Sequence, residues 1–369
     1  MNLLLNPGPV TLTERVRRSL LQTDLCHREN EFFDLQDEAC GRLLQVYALD
    51  ATVWQAILVG GSGTAAVESM IASLVPAQGR LLVVANGVYG ERIAQMAARY
   101  GIAHETAQGE WMAAPDLPTL AAAMDEAARR GEAFTHLAVV QHETTTGRLT
   151  DIAALLALCE KRGIAMLLDG VSSFGAEQID FRSPALAAVA ATANKCLHGV
   201  PGIALVVARR AAIEQGITRA FYLDLKRAAA LQAERNTPFT PPVHAIYALV
   251  EALREMEEGG GQPARLARYK ALAERVRAGL AALGIVAAVA PEASSAVLRA
   301  YSLPAGVDYE TLHDHLKKAG FVIYAGQGGL SRTLFRISTM GALADGDIER
   351  LLAAFSSLCT TAAGRDDAA

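Results

Sequence analysis

The chain has 369 residues, 51% of them hydrophobic and 20% charged, which excludes a disordered or fibrous protein and suits a folded enzyme of two or three packed units. Its net charge of −5, from 34 basic and 39 acidic residues with no block of Lys or Arg, leaves no footprint for nucleic acid or an anionic membrane, so small molecules are the expected partners. Five cysteines (Cys26, Cys40, Cys159, Cys196, Cys359), odd in number, far apart and without a CxxC pair, argue against a disulfide framework or a zinc site and for reduced thiols in the cytoplasm.

In chain order, residues 1–10 are mildly apolar but lack a basic start and break at Pro7-Gly8-Pro9, too soon for a signal peptide or a spanning helix. From 55 to 208 short apolar runs alternate with helical patterns: 55–59, 80–85, 136–141, 165–169, 187–192 and 203–208 read as strands of a doubly wound α/β layout. The runs are apolar at consecutive positions, as expected where helices cover both faces of a mostly parallel sheet. Ligands in such sheets collect at the carboxyl ends of the strands.

Three features sit at such ends. After 55–59 comes Gly60-Gly61-Ser62-Gly63-Thr64, then a helix with an apolar stripe at Val67, Met70, Ile71, Leu74 and Val75. Glycines admit an anion close to the backbone, the helix start offers free N–H groups, and two hydroxyls add donors, which together make a phosphate cup. Taken alone, the same residues also serve a plain turn. The stretch has neither the lysine-containing ending of a nucleotide P-loop nor full dinucleotide spacing, so ATP and NAD are not expected. The apolar run 165–168 ends in Asp169, a charge that burial makes costly unless a cation such as a protonated pyridine nitrogen meets it; a helix cap or turn is the plainer alternative. Finally, Thr192-Ala193-Asn194-Lys195 places a lysine between two apolar strands, where an amine can serve as a nucleophile and Schiff-base former. Cup, acid and lysine in this order within one α/β unit point to cofactor chemistry.

Beyond about residue 245 longer helices (243–257, 264–283) give way to short strands (285–289, 296–301, 333–337) and helices at 309–318 and 344–358, a smaller α+β unit. Residues 258–263 read as a helix stop and turn, and 361–369 as a frayed tail. The pair His313 and His315 is splayed by its spacing of two on a helix, so no metal is expected.

At these residues, and at Asn86-Gly87-Val88-Tyr89-Gly90-Glu91-Arg92, His142-Glu143-Thr144-Thr145-Thr146-Gly147, Asp169-Gly170-Val171-Ser172-Ser173 and Lys195-Cys196-Leu197-His198-Gly199-Val200-Pro201-Gly202, the chain resembles the class V aminotransferases of fold type I, which use pyridoxal 5′-phosphate (PLP). Within them it is most similar to the 2-aminoethylphosphonate–pyruvate transaminases. The resemblance implies a mostly parallel seven-stranded sheet in a large domain (16–245), a smaller α+β domain (246–360), an N-terminal segment (1–15) at the active site, and a homodimer with shared sites. It implies that Lys195 carries the cofactor as a Schiff base and Asp169 faces the ring nitrogen. Tyr89 and Val171 are then expected on the two ring faces, Ser62, Gly63, Thr64, Thr192 and Asn194 around the phosphate, Thr144 near the phenolic oxygen, and Thr240 at the phosphate of the neighbouring subunit. Arg336, with Arg28 and Arg92 as further candidates, is expected to bind the substrate's acid group. An alanine- or serine-to-glyoxylate aminotransferase is the alternative function. A PLP lyase or desulfurase fits less well, because Cys196 directly follows the lysine and no cysteine sits in a glycine-rich loop.

Overall fold

The structure, a computed structural model, describes residues 2–366 of the chain, with side chains through Thr360. Seven strands form the main sheet: β1 (Trp54–Gly61), β2 (Arg80–Ala85), β3 (Ala103–Gln108), β4 (His136–Val140), β5 (Ala165–Asp169), β6 (Leu186–Thr192) and β7 (Gly202–Arg209), in the spatial order β1-β7-β6-β5-β4-β2-β3. All run parallel except β7, which lies antiparallel between β1 and β6. Successive residues of one strand feed opposite faces: Leu137 and Val139 of β4 enter the core beneath the helices Asn30–Gln45 and Val243–Glu258, while Ala138 and Val140 enter the core beneath Gly63–Leu74 and Val88–Arg99. Both faces are dry, which is why the strands read as continuous apolar runs. The exception is the edge strand β3, whose Ala103-His104-Glu105-Thr106 is solvent-facing and polar, so no apolar run announced it.

The C-terminal part carries a three-stranded sheet of β8 (Leu298–Ser302), β9 (Tyr324–Ala325) and β10 (Leu334–Ser338), packed against the helices Gly261–Ala281, Tyr309–Lys318 and Asp345–Asp366. The expected strand at 285–289 reduces to a single bridge between Ala287 and Tyr301. Residues 258–263 compress into a left-handed corner at Gly260 and Gly261 (φ +92° and +73°), so two helices abut there almost directly. The last helix continues through residues 361–366 of the segment expected to fray, and 367–369 lie outside the described residues. No described helix is long and apolar enough to cross a membrane.

The N-terminal segment is anchored to the C-terminal part and passes over the lysine loop. Leu3 and Leu4 pair in parallel with Phe321 and Val322, Ser338 N–H donates to Leu5 O at 2.8 Å, and Ala342 N–H donates to Thr11 O at 2.8 Å. Between those anchors Gly8 crosses Lys195 so closely that a β-carbon on it would sit 3.1 Å from the lysine Cγ.

Candidate active site

Because the six parallel strands end on one edge of the sheet, the turns that follow β1, β2, β4, β5 and β6 meet there. A cavity of about 190 Å³ opens at this edge, lined by Ser62, Gly63, Thr64, Tyr89, Arg92, Asp169, Val171, Thr192, Asn194 and Lys195, with Val67, Ile93 and Met96 as its apolar wall. Nine residues expected at the cofactor and one of the three arginines expected at the substrate thus converge.

Ser62 caps the helix Gly63–Leu74 in an extended conformation without spending its hydroxyl on the cap, which leaves that hydroxyl and the N–H groups of Gly63 and Thr64 available, while Ala65 N–H donates to Ser62 O at 2.8 Å. Gly63 is glycine for lack of room: a β-carbon there would lie 2.5 Å from Val171 Cγ1. Arg92 Nη1 donates to Thr64 Oγ1 at 3.3 Å, and its guanidinium stands 4.8 Å from the Tyr89 ring centroid. Expected at the substrate, Arg92 therefore sits beside the cup.

Asp169, at the end of β5, is buried; its Oδ1 accepts from Val171 N–H at 3.0 Å, and it forms no ion pair among the described residues. Burial pushes its pKa up, and Lys195 and Arg92 pull against that shift. Lys195 Nζ lies 5.9 Å from the Tyr89 ring centroid. The lysine loop is a tight turn, with His198 N–H donating to Lys195 O (2.9 Å), Gly199 N–H to Ala193 O (2.7 Å) and Thr192 Oγ1 to Asn194 Oδ1 (2.7 Å).

The expected cofactor fits this lining. An anion finds the cup and Arg92; a flat ring finds a slot between Tyr89 and Val171; a ring cation finds the unpaired Asp169; and an aldehyde finds the Lys195 amine. Thr144 is fully buried just outside the lining, its hydroxyl without a hydrogen-bond partner and its carbonyl taken by Arg336.

Arg336 on β10 is buried, 6% exposed. Its Nε donates to Ala325 O at 2.8 Å and its Nη1 to Thr144 O at 2.9 Å, and it forms no ion pair among the described residues. Burial lowers its pKa, while Tyr89, Tyr309, Glu143 and Tyr324 act in the opposite direction. Arg28 lies elsewhere: exposed, it donates to Asn236 Oδ1 and to Thr237 O. Thr240 is also outside the cavity, on an exposed face with Tyr222 and Phe239.

One residue that the motifs contained but no spacing singled out is Glu143. It is completely buried; Oε1 accepts from Thr145 Oγ1 (2.5 Å) and Thr145 N–H (3.2 Å), and Oε2 accepts from Tyr89 N–H (3.3 Å). Burial raises its pKa. Gly87 makes room for it, since a β-carbon there would lie 2.3 Å from the Glu143 Cδ. His142 is buried, with Nδ1 donating to Ser172 O at 3.1 Å, and burial pushes its pKa down to about 4. Cys196 donates its thiol to Ser172 O and burial holds its pKa up at about 12, so it is no reactive sulfur acceptor. Among the described residues no cluster of three His, Cys, Asp or Glu is placed to hold a metal.

Comparison with known proteins gives consistent results. The sequence profile of the family described as aminotransferase class-V matches residues 48–350. A 2-aminoethylphosphonate–pyruvate transaminase of Aeromonas hydrophila is 35% identical over 366 residues, covering 97% of this chain and 95% of the other. Among solved structures, an aspartate aminotransferase of subgroup IV from Thermus thermophilus superposes with a TM-score of 0.88 at 26% identity, over 98% of this chain and 99% of that one. An alanine–glyoxylate aminotransferase from Nostoc sp. does so with a TM-score of 0.87 at 27% identity, over 96% and 94%.

Proposed function

Because the chain belongs to the class V aminotransferases, which are PLP enzymes, we propose that it passes the amino group of 2-aminoethylphosphonate to pyruvate, giving phosphonoacetaldehyde and alanine reversibly. The observation that carries this reading is the pair of arginines, Arg92 and Arg336, that form no ion pair among the described residues. Each calls for an anion. Arg92, bonded to the cup, answers to the cofactor phosphate; Arg336, on the opposite strand system, answers to the acid group of the substrate.

When bound, the cofactor supplies an aldehyde that condenses with amines and a ring that withdraws electrons from the adjoining carbon. With the cofactor bound, Lys195 Nζ would take the proton from the donor's amine-bearing carbon and pass it to the carbon derived from the aldehyde, and would move a proton the opposite way when the keto acid is the partner. Asp169 keeps the ring nitrogen protonated, and Tyr89 and Val171 hold the ring flat. Ser62, Gly63, Thr64, Thr192 and Asn194 hold the phosphate, Thr144 offers its unpartnered hydroxyl to the ring's phenolic oxygen, and the N-terminal segment shields Lys195 from water through Gly8. Donor and keto acid use one site in turn, so the kinetics are ping-pong. The donor carries no α-carboxylate, so its orientation depends on the remote phosphonate held by Arg336.

The working unit is a homodimer. Phe221 and Tyr222 are 79% and 54% exposed, Tyr222 stacks on Phe239 with centroids 4.7 Å apart, and Thr240 stands beside them outside its own cavity. Five free cysteines agree with a cytoplasmic protein. The second reading is an alanine- or serine-to-glyoxylate aminotransferase, favoured by the likeness to the Nostoc enzyme, in which Arg336 would take a carboxylate. Turnover with 2-aminoethylphosphonate, alanine and serine, each against pyruvate and glyoxylate, separates the two. The highest kcat/KM with 2-aminoethylphosphonate and pyruvate supports the first; a higher value for alanine or serine with glyoxylate replaces it.

A further inference from the structure

His198 lies three residues beyond Lys195 in the same loop, with a left-handed backbone (φ +65°) that a non-glycine residue adopts only when its surroundings hold it there. Its ring reaches out of the loop to two other parts of the chain. Nε2 accepts from Gly341 N–H at 2.9 Å and lies 2.6 Å from the Tyr269 hydroxyl on the helix Gly261–Ala281. A backbone N–H can only donate, so Nε2 carries no proton. Arg265 and Arg268, on the same helix as Tyr269, add to burial in keeping the ring neutral.

Gly341 follows Arg336 by five residues, at the exit of β10. Its N–H is fixed in direction, because the backbone there (φ +95°) passes so near Thr11 that a β-carbon would meet Thr11 O at 2.8 Å. The rest of the junction repeats the connection. Arg265 donates to Cys196 O at 2.6 Å, the Cys196 thiol lies 3.7 Å from Met340 Sδ, and Arg268 donates to Leu343 O. The loop that carries Lys195 is thus clamped to the segment that follows Arg336, and the His198 imidazole is the polar centre of that clamp.

We propose that His198 is a positioning residue that sets the separation between the Lys195 amine and the Arg336 guanidinium, and so the length of donor, from amine to acid group, that the site accepts. The inference rests on the roles of Lys195 and Arg336 given above. The His198 ring is not part of the cavity lining and, on the roles given above, does not meet the substrate. Its effect falls on reactions that must engage both ends of one molecule at once, where a displacement of about 1 Å costs up to about a hundredfold.

The test uses the PLP-loaded enzyme and three variants, His198→Ala, His198→Gln and Tyr269→Phe. Cofactor absorbance reads the lysine end alone, the inhibition constant of ethylphosphonate reads the arginine end alone, and kcat/KM for 2-aminoethylphosphonate reads both together. His198→Ala is expected to keep the absorbance and to hold the ethylphosphonate constant within about threefold, while kcat/KM falls at least about tenfold. Gln can place an amide oxygen where Nε2 stood, so His198→Gln restores kcat/KM to within about threefold of the parent. Tyr269→Phe, which leaves the imidazole in place, loses less than His198→Ala in the same direction and carries the test if that variant fails to fold. The proposal is overturned if kcat/KM is unchanged, if the ethylphosphonate constant worsens in proportion to kcat/KM, or if Gln fails to restore it. Should the parent prefer another donor, the same three readings are made with that donor and its deaminated analogue, so a wrong substrate does not masquerade as a wrong clamp.

Discussion

Replacing Arg336 with lysine keeps the positive charge and removes the fork. A guanidinium has five N–H donors; two are spent on Ala325 O and Thr144 O, which leaves three for an incoming anion on a side chain fixed at two points. Lysine has three donors on a flexible stem, so it cannot serve both carbonyls and present a two-point grip. Losing one charge-assisted hydrogen bond costs about 1.5–3 kcal/mol. At about 1.4 kcal/mol per factor of ten, kcat/KM for 2-aminoethylphosphonate should fall between about tenfold and a hundredfold. The assay is initial rate against donor concentration at saturating pyruvate, with cofactor absorbance recorded for each preparation. The absorbance should not change, because Arg336 stands outside the cofactor cavity. A variant within about threefold of the parent, or one whose loss is matched by reduced cofactor content, would show that Arg336 is not the substrate's anion site.

Gly63→Ala forces a β-carbon onto Val171, so cofactor affinity should drop at least about tenfold while circular dichroism stays native; equilibrium titration with PLP measures it. Glu143→Gln puts an amide N–H against the backbone N–H of either Tyr89 or Thr145, a buried mismatch costing about 1–3 kcal/mol in urea unfolding and disturbing Tyr89 at the ring. His136, on the far end of β4, has its pKa pushed down to about 4 by burial. Below pH 6.5 the unfolded chain binds a proton there that the folded chain does not, so this group withdraws stability as pH falls from 6.5 toward 4. His136→Gln should therefore show a shallower decline of Tm with falling pH over that interval, and an unchanged slope would contradict the assignment.

What the sequence disclosed and what it hid divide along burial. The strands β2 and β5 were legible to the residue because both faces are covered and every position but the terminal Arg80 and Asp169 is apolar, whereas the edge strand β3 has a wet face and left no apolar run. Cup, acid and lysine were readable because each follows directly on a strand end, where topology alone fixes the neighbourhood. Arg92 was visible as a charged residue, but its place beside Thr64 depends on how the helix Val88–Arg99 turns toward the cup, which chain order does not encode. Glu143 had a usable signal in retrospect, a carboxylate directly before three buried threonines, paired with a helix-capping glycine at Gly87. His198 stood in the lysine motif, but its role was not readable there, since its partners at 269 and 341 are brought to it only by the folding of the C-terminal part.

The most direct test is the absorbance spectrum of the purified protein, recorded for the parent and for Lys195→Ala during separate additions of 2-aminoethylphosphonate, alanine and serine. The parent should hold a PLP chromophore on Lys195 that is lost on adding 2-aminoethylphosphonate or alanine, and Lys195→Ala should show no such conversion on the same time scale. A parent that binds no PLP would contradict the assignment of the site, and one that responds to alanine or serine but not to 2-aminoethylphosphonate would contradict the proposed substrate.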